Sequence, residues 1–574
     1  MMYLCKQITR EILKNKIFIF LLFLLSIFTS FMYFFVRFSI DANMKVLNSL
    51  SVLSKNQLLY QNALNSNIIL AQNFLIVLTA LTSFVFIMFF YRFYKSNGKQ
   101  IGCLRALGYK NSVLRNYFVS FTALLSFIGS LFGFIFGKLG SNILINANKQ
   151  SYNVTGLIKG INFSSIIIGW FVPMTIFCIV TFFSYQFVGH MEIGNLISGT
   201  SNKRGFSKLL KFVNSFIKIL PIKNKIPYRI AFRKPISVLL IITAIMGFTV
   251  MFVMGYSLNM ISKKVFLSQT VGHKYLFDTH FAKFKTSDEE KNNAMYYLSY
   301  DIVVTSPNGT EVEQQIIGIE QNDGILALQN KNGELLAPTK EDSVYISPAL
   351  NELYGFNIGD KIMLIFNNKD YALTIKNIAD NAKLKSVYIS KNQLAHILNL
   401  PENAYNGVLS IERIWDNKGT TTTYEQKITD LKRDFVSNRN SAIINQSIGC
   451  IAGCILLYLA LLLNFQDDIK DMLILHLMGY EPKAIKKLLI NVYRPILVVS
   501  FLLTLIPSII IAQWVQKSLS IQTGDYMPFQ TNTLFIFIIF ILLNVLYSLV
   551  QITFIRRIKN VINKESITDY TNVS

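Results

Sequence analysis

Few residues in this chain of 574 are of a type and spacing that could do chemistry. His273 and His280, with Asp278 between them, could bind a metal, but solvated residues near a stalk base are the better reading and no metal site is assigned. A phosphate cradle of the Gly-x4-Gly-Lys-Ser/Thr form is missing. The nearest strings, Asn97-Gly-Lys-Gln100 and Ser198-Gly-Thr-Ser-Asn-Lys-Arg204, lack the spacing. The sequence holds no recognisable Ser/His/Asp or paired-carboxylate arrangement, and Cys5, Cys103, Cys178, Cys450 and Cys454 suggest no disulfide framework or zinc knuckle. Cys450 and Cys454, four apart on a helix, read as small apolar packing residues. The expectation is a chain that is no enzyme, has no catalytic residues, binds no cofactor and hydrolyses no ATP by itself.

What would position any functional residue is a set of apolar helices. The hydrophobic fraction is 52% and the mean hydropathy +0.40, which with long uncharged runs indicates an integral membrane protein. Eight runs are long enough to span a bilayer: 17–36, 68–90, 117–136, 166–187, 236–256, 447–463, 496–514 and 533–554. The first follows Lys6, Arg10, Lys14 and Lys16 but is too long for a signal-peptide core, so it reads as a retained anchor. The net charge of +24 could suggest nucleic acid, yet residues 261–440 hold 20 of the 56 Lys and Arg and 22 of the 32 Asp and Glu. The basic excess therefore borders the spans, as an orientation signal does, and nucleic acid is not an expected partner. With the N-terminus inside, the cytosolic segments carry 29 basic residues and the short external loops 7. Both termini are thus expected in the cytosol and 261–441 outside. Richness in Lys, Asn, Ile and Phe points to an AT-rich bacterial genome and to the bacterial cytoplasmic membrane.

The chain repeats itself. Arg10-Glu-Ile-Leu-Lys-Asn-Lys-Ile17 leads into the first span and Arg229-Ile-Ala-Phe-Arg-Lys-Pro-Ile236 into the fifth. Leu104-Arg-Ala-Leu-Gly-Tyr109 recurs 371 residues later as Leu475-His-Leu-Met-Gly-Tyr480. Both matches keep their order relative to the spans, so the chain reads as two four-span halves with a folded domain inserted in the second. In the first copy Ile101, Leu104 and Leu107 are expected to form one apolar stripe on a short helix, with Lys99 and Arg105 off it. Gly108 would end that helix in a left-handed turn. In the second copy Asp471, Met472, Leu475 and Met478 precede Gly479, and Pro482 suits the next helix's first turn. Each copy is expected to be a rigid cytosolic hairpin suited to take a push from a soluble partner.

At Ile101-Gly-Cys-Leu-Arg-Ala-Leu-Gly108 the sequence resembles the FtsX/MacB-type permeases of ATP-binding-cassette systems, with Gln100 where that family usually has Glu. The second copy departs further, with Leu473 for the first Gly and His476 for Arg. The resemblance implies a coupling helix that docks on an ABC ATPase at Ile101, Leu104, Arg105, Leu107, Gly108 and Tyr109, and again at Leu475, Met478, Gly479 and Tyr480. It implies two ATPase copies per chain, which supply ATP and Mg, and membrane lipid as surroundings. A second permease or an extracytoplasmic partner stays open. Val344 to Leu364, with Gly359-Asp360 as its turn, resembles the extracytoplasmic domain of the same permeases. Hairpins are expected at Asn308-Gly309, between 301–305 and 311–319, and across 367–370, between 361–366 and 371–378.

The expected fold is a mostly α integral membrane protein: eight transmembrane helices in two four-helix FtsX-like repeats, with one inserted MacB-like α+β extracytoplasmic domain. The expected segments are 1–190 for the first half, 191–235 for a cytosolic linker, 236–260 for the fifth span, 261–441 for the inserted domain on stalk helices, and 442–574 for the last three spans. Phe206 to Leu220 reads as a basic amphipathic helix lying in the membrane interface, and Leu4 to Leu13 as a shorter one. The near absence of charge inside the spans disfavours ion-coupled transport. The functional expectation is a permease subunit acting by mechanotransmission on amphipathic or peptidic substrates such as antimicrobial peptides, serving resistance to them. The alternative is a non-transporting sensory scaffold that controls a cell-wall hydrolase or signalling partner, or extrusion of lipid or lipoprotein.

Overall fold

The computed structural model describes residues 16–152, 154–198, 235–287, 293–307, 309–320, 324–336, 342–366, 369–414, 419–481, 484, 493–523 and 526–563. Both expected amphipathic helices, and most of the 191–235 linker, lie outside the described residues. The helices begin with α1 (Lys16–Asn48), α2 (Lys55–Ser96), α3 (Gly98–Ala106), α4 (Asn111–Gly140), α5 (Asn142–Tyr152), α6 (Phe163–Gly189), α7 (Ile193–Ser198) and α8 (Pro235–Thr270). Then come β1 (Phe277–Thr286), β2 (Ala294–Thr305), β3 (Glu311–Ile319), β4 (Ser343–Ile346), α9 (Pro348–Tyr354), β5 (Lys361–Phe366), β6 (Lys369–Ile378) and β7 (Ser386–Ser390). The order closes with α10 (Lys391–Ile397), β8 (Ala404–Ser410), β9 (Gly419–Thr423), α11 (Tyr424–Leu477), α12 (Tyr493–Thr523) and α13 (Thr533–Asn563).

Among the described residues, eight helical stretches are long and apolar enough to cross a membrane: Lys16–Asn48, Asn56–Tyr94, Asn111–Lys149, Phe163–Gln186, Ile241–Thr270, Ala442–Leu459, Tyr493–Gln522 and Thr533–Ile552. Each coincides with an expected run, and together they make this a multi-pass membrane protein. The chain divides into two compact units. One comprises Met1–Met254, Ile444–Ala512 and Asn532–Ser574; the other comprises Gly255–Ile443 and Gln513–Thr531.

In the helical unit, α1 packs against α4 through a stripe of small residues. A Cβ on Gly129 would lie 2.5 Å from Ser26 Oγ, and one on Gly133 2.8 Å from the Phe31 nitrogen, so the two helices approach where no side chain would fit. Ser30 and Ser130 hydroxyls meet at 2.8 Å across the same seam. Apolar packing between helices gains little from hydrophobicity inside a bilayer, so close contact and buried hydrogen bonds carry the association. The N-terminus of α2 is closed by a capping box, in which Ser54 Oγ accepts the Gln57 amide and Gln57 Oε1 accepts the Ser54 amide.

In the other unit β2, β3, β7, β4, β6 and β5 pair in a closed ring, because β3 bonds to both β2 and β7. The pairs β3–β7 and β4–β6 are parallel and the others antiparallel. The first third of β2, Ala294–Tyr297, leaves the ring to pair with β8, which pairs in turn with β1, and β1 with β9. Both expected hairpins are present: Thr305 faces Glu311, and Phe366 faces Lys369. Strand β2 starts earlier than expected, at Ala294, because those residues serve β8. Alternate side chains of the ring, among them Leu298, Ile302, Ile316, Val344, Ile362, Leu364 and Val387, fill its interior. Each such buried aliphatic side chain stabilises by roughly 1.5–3 kcal/mol.

Candidate functional site

The first repeated device is built on a rigid base. Tyr94 at the end of α2, Phe118 on α4 and Tyr185 on α6 are all buried, and their rings meet edge to face at 5.0 Å (Tyr94–Phe118) and 5.5 Å (Tyr94–Tyr185). Asn97 breaks α2 from α3, with φ −102° and ψ 19°. Helix α3 then closes in two backbone hydrogen bonds. The Tyr109 amide donates to Leu104 at 3.2 Å and the Gly108 amide to Arg105 at 3.1 Å. This pair of bonds satisfies helix carbonyls that would otherwise be left open, and it requires a left-handed residue at Gly108, whose φ is +89°.

The second device closes the same way. The Tyr480 amide donates to Leu475 at 3.0 Å and the Gly479 amide to His476 at 2.9 Å, with φ +88° at Gly479. It is not a separate short helix, however. Helix α11 runs unbroken from Tyr424 to Leu477, and the turn is its end. The expectation of two alike hairpins holds for the closure and fails for the lead-in, since the second copy has no counterpart to the Asn97 break.

The faces also differ from expectation. Ile101 is only 4% exposed and Leu104 half-buried, whereas Leu107 is 76% exposed, so the three do not form one presented stripe. The cause is α7. A Cβ on Gly102 would lie 3.0 Å from Leu196 Cβ and 3.0 Å from Ile197 Cγ1, so α7 covers the Ile101–Gly102 side of α3. Arg105 Nη1 donates to the Met191 carbonyl at 2.7 Å, and Asn111 Nδ2 to Gly189 at 3.0 Å, which ties the same segment down. The open face of α3 is Lys99, Gln100, Cys103, Ala106 and Leu107. At the second device Ile474, Leu477, Met478 and Tyr480 are exposed and Leu475 is half-buried. Sequence reasoning missed α7; its signal was the apolar pair Leu196-Ile197 after the fourth span, read as part of a linker.

Gly359 and Asp360 form the turn that leads into β5. The Asp360 carboxylate accepts the Asn357 amide at 2.7 Å, the Gly359 amide donates to Ile375 at 2.8 Å, and Gly359 has φ +92°. These contacts shape the turn that starts β5. Among the described residues no group of three His, Cys, Asp or Glu could hold a metal ion, and His273 and His280 bond to different partners. His273 Nε2 bonds the Asn381 carbonyl at 2.9 Å, its Nδ1 accepts from Lys427 Nζ at 2.9 Å, and His280 meets Ser299 Oγ at 3.2 Å. Burial first, and the Lys427 charge second, push His273 down to about 4. Burial likewise lowers Lys427 to about 8. Lys427 also donates to Tyr275 at 2.9 Å.

Beside Lys427 the sheet-bearing unit holds a cleft of about 800 Å³, which sequence reasoning did not find. Lys383, Lys385 and Lys427 face it, as do Asp301, Glu313 and Asp430, and the buried Gln314 lines it from β3. The groups come from β2, β3, the β6–β7 connection and α11, four segments that no local pattern links.

Among the described residues, eight apolar helical stretches and two turns closed by the same pair of hydrogen bonds mark a multi-pass membrane protein. The family model described as FtsX-like permease C-terminal matches residues 73–193 and again 447–561. Both turns lie inside the matched segments, and the closed ring of strands lies between them. Those segments belong to that family: the chain carries the FtsX-like permease domain twice and is a permease-type membrane protein. Permeases of this family generally associate with ABC ATPase partners. No curated protein matches the chain.

Proposed function

We propose that the chain is the permease subunit of an ATP-binding-cassette transporter that works by mechanotransmission. Two ATPase subunits, which carry the ATP and Mg, close on nucleotide and press on the turns at Leu104–Tyr109 and Leu475–Tyr480. The spans pass that movement to the unit carrying the closed ring of strands. The turns face the cytosol of a bacterial cell and the sheet lies outside, a reading supported by the charge bias of 29 basic residues against 7. The substrates are amphipathic or peptidic molecules engaged at the outer face, antimicrobial peptides among them. The cleft beside Lys427, with lysines and carboxylates on its walls, suits the mixed charges of a peptide.

One observation carries this reading. Two turns closed by the same pair of hydrogen bonds each leave large apolar side chains bare, with Leu107 76%, Leu477 70% and Met478 67% exposed. Rigid apolar knobs of this kind are what a partner's groove needs as anchors. The test is ATP hydrolysis by the permease co-purified with its ATPase in lipid. Leu107→Asp and Met478→Asp should each weaken association about tenfold or more, the scale of a lost apolar anchor, and suppress hydrolysis. Full association and hydrolysis in the double variant would refute the coupling role.

A further inference from the structure

A groove of about 330 Å³ runs along α12 and α13 within the helical unit. Its walls are Phe540, Ile541, Val545, Leu549 and Ile552, with Arg494 at one end. Ile541, Val545, Leu549 and Ile552 are 47–56% exposed, so the groove opens sideways onto whatever surrounds the spans. Between residues 540 and 552 a helix rises about 18 Å, slightly more than half of the roughly 30 Å hydrocarbon core. The groove therefore has the length of one leaflet.

Arg494 is the anomaly. It is exposed, it is the second residue of the Tyr493–Gln522 span, and among the described residues no carboxylate lies in ion-pair reach of it. Arg37, the arginine of the first span, is treated otherwise. Its guanidinium is 2.9 Å from Asp41 and donates to Ser165 Oγ at 2.6 and 3.0 Å, so its charge is answered within the chain. Of the groove's other polar side chains, Asn544 donates to Phe540 at 2.9 Å and Ser548 to Asn544 at 2.8 Å, and neither brings a negative charge. A cation at the membrane boundary with no counter-charge in its own groove attracts an anion.

We infer that this groove binds a phospholipid with an anionic headgroup, the phosphate on Arg494 and one acyl chain along Ile541, Val545 and Leu549. This goes beyond the transport reading and stands without it, because it needs only the membrane and the two helices.

The test is native mass spectrometry of the purified full-length chain, loaded with phosphatidylglycerol or with phosphatidylcholine of the same acyl chains. The wild-type protein should retain phosphatidylglycerol about fivefold better, the scale of one arginine at an anionic surface. Arg494→Gln should abolish that preference, Arg494→Lys should keep most of it, and Val545→Trp, which fills the apolar part, should lower retention of the lipid. Equal retention of both lipids by the wild type would overturn the inference, as would an undiminished preference in Arg494→Gln or unaltered retention in Val545→Trp. Displacement of the lipid by inorganic phosphate alone would also overturn it, since the site would then take the ion and not the lipid. Should Arg494→Gln fail to fold, Arg494→Lys and Val545→Trp decide the matter.

Discussion

The Tyr480 amide donates to the Leu475 carbonyl at 3.0 Å, and the bond between Tyr109 and Leu104 repeats it at 3.2 Å. Each closes a helix through a glycine near φ +90°, at +88° and +89°. Such agreement in two segments with different lead-ins indicates that the turn itself is the conserved part of the repeat.

Gly108→Val and Gly479→Val should therefore weaken both turns alike. A Cβ at either position meets nothing within 4 Å, so the loss is conformational and amounts to about 1–2 kcal/mol per site. Asn, which tolerates the left-handed region, should cost less. Thermal unfolding of the purified variants gives the comparison; a Val variant as stable as its Asn counterpart would contradict it.

Gly102→Val should act by crowding, because its Cβ falls 3.0 Å from Leu196 and Ile197 and the larger side chain pushes α7 off α3. A destabilisation of about 1–3 kcal/mol is expected. Cysteine accessibility supplies the readout: Ile101→Cys should be protected from a thiol reagent in the native background and become reactive when combined with Gly102→Val.

Acid should loosen the sheet-bearing unit through His273. It titrates at 6.5 when free and at about 4 in the fold, where Lys427 from α11, the Tyr275 hydroxyl and the Asn381 carbonyl face it. Between those values the unfolded chain binds more protons, so stability falls as pH drops from 6.5 towards 4, by at most about 3 kcal/mol, and levels off below. Lys427 acts in the same sense at the alkaline end, where stability rises from about pH 8 as the free lysine still binds its proton and the buried one does not. Melting curves of wild type and His273→Gln across the acid range should differ in slope; parallel curves would exclude the histidine.

Tyr526→Phe should remove a hydrogen bond that holds the segment after α12 to α9. The Tyr526 hydroxyl donates to Glu352 Oε2 at 2.8 Å, Lys264 stands 3.5 Å from the same carboxylate, and the ring packs on Ala349 and Leu353. Because the ring contacts survive in Phe, the loss should stay near 1–2 kcal/mol. Tyr526→Ala should cost more, and proteolysis of the 526–532 segment would rank the two.

Much of this was legible in the residues. Hydropathy located the spans because a bilayer demands about 20 apolar residues in a row, and Leu-x-x-x-Gly-Tyr located the turns because a left-handed helix end all but requires glycine. The Asn308-Gly309 hairpin was legible for the same kind of local reason. The closure of the ring was not. Strand periodicity tells which face is buried but names no partner, and the parallel pairs β3–β7 and β4–β6 join strands far apart in sequence. The presented face of α3 was illegible too. With apolar residues at Ile101, Leu104 and Leu107, a helix of nine residues offers no unique buried side until α7 is known to cover Gly102. The cleft beside Lys427 and the groove at Arg494 escaped for the same reason, since each is assembled from segments that only folding brings together.

The most direct measurement is photo-crosslinking in living cells from a reactive residue placed at Leu107, at Met478 or at Ile158, which is 47% exposed and lies on a loop read as external. An ATPase subunit should be captured from both turns and never from position 158. Capture from neither turn, or equal capture from position 158, would contradict the coupling role on which the proposed function stands.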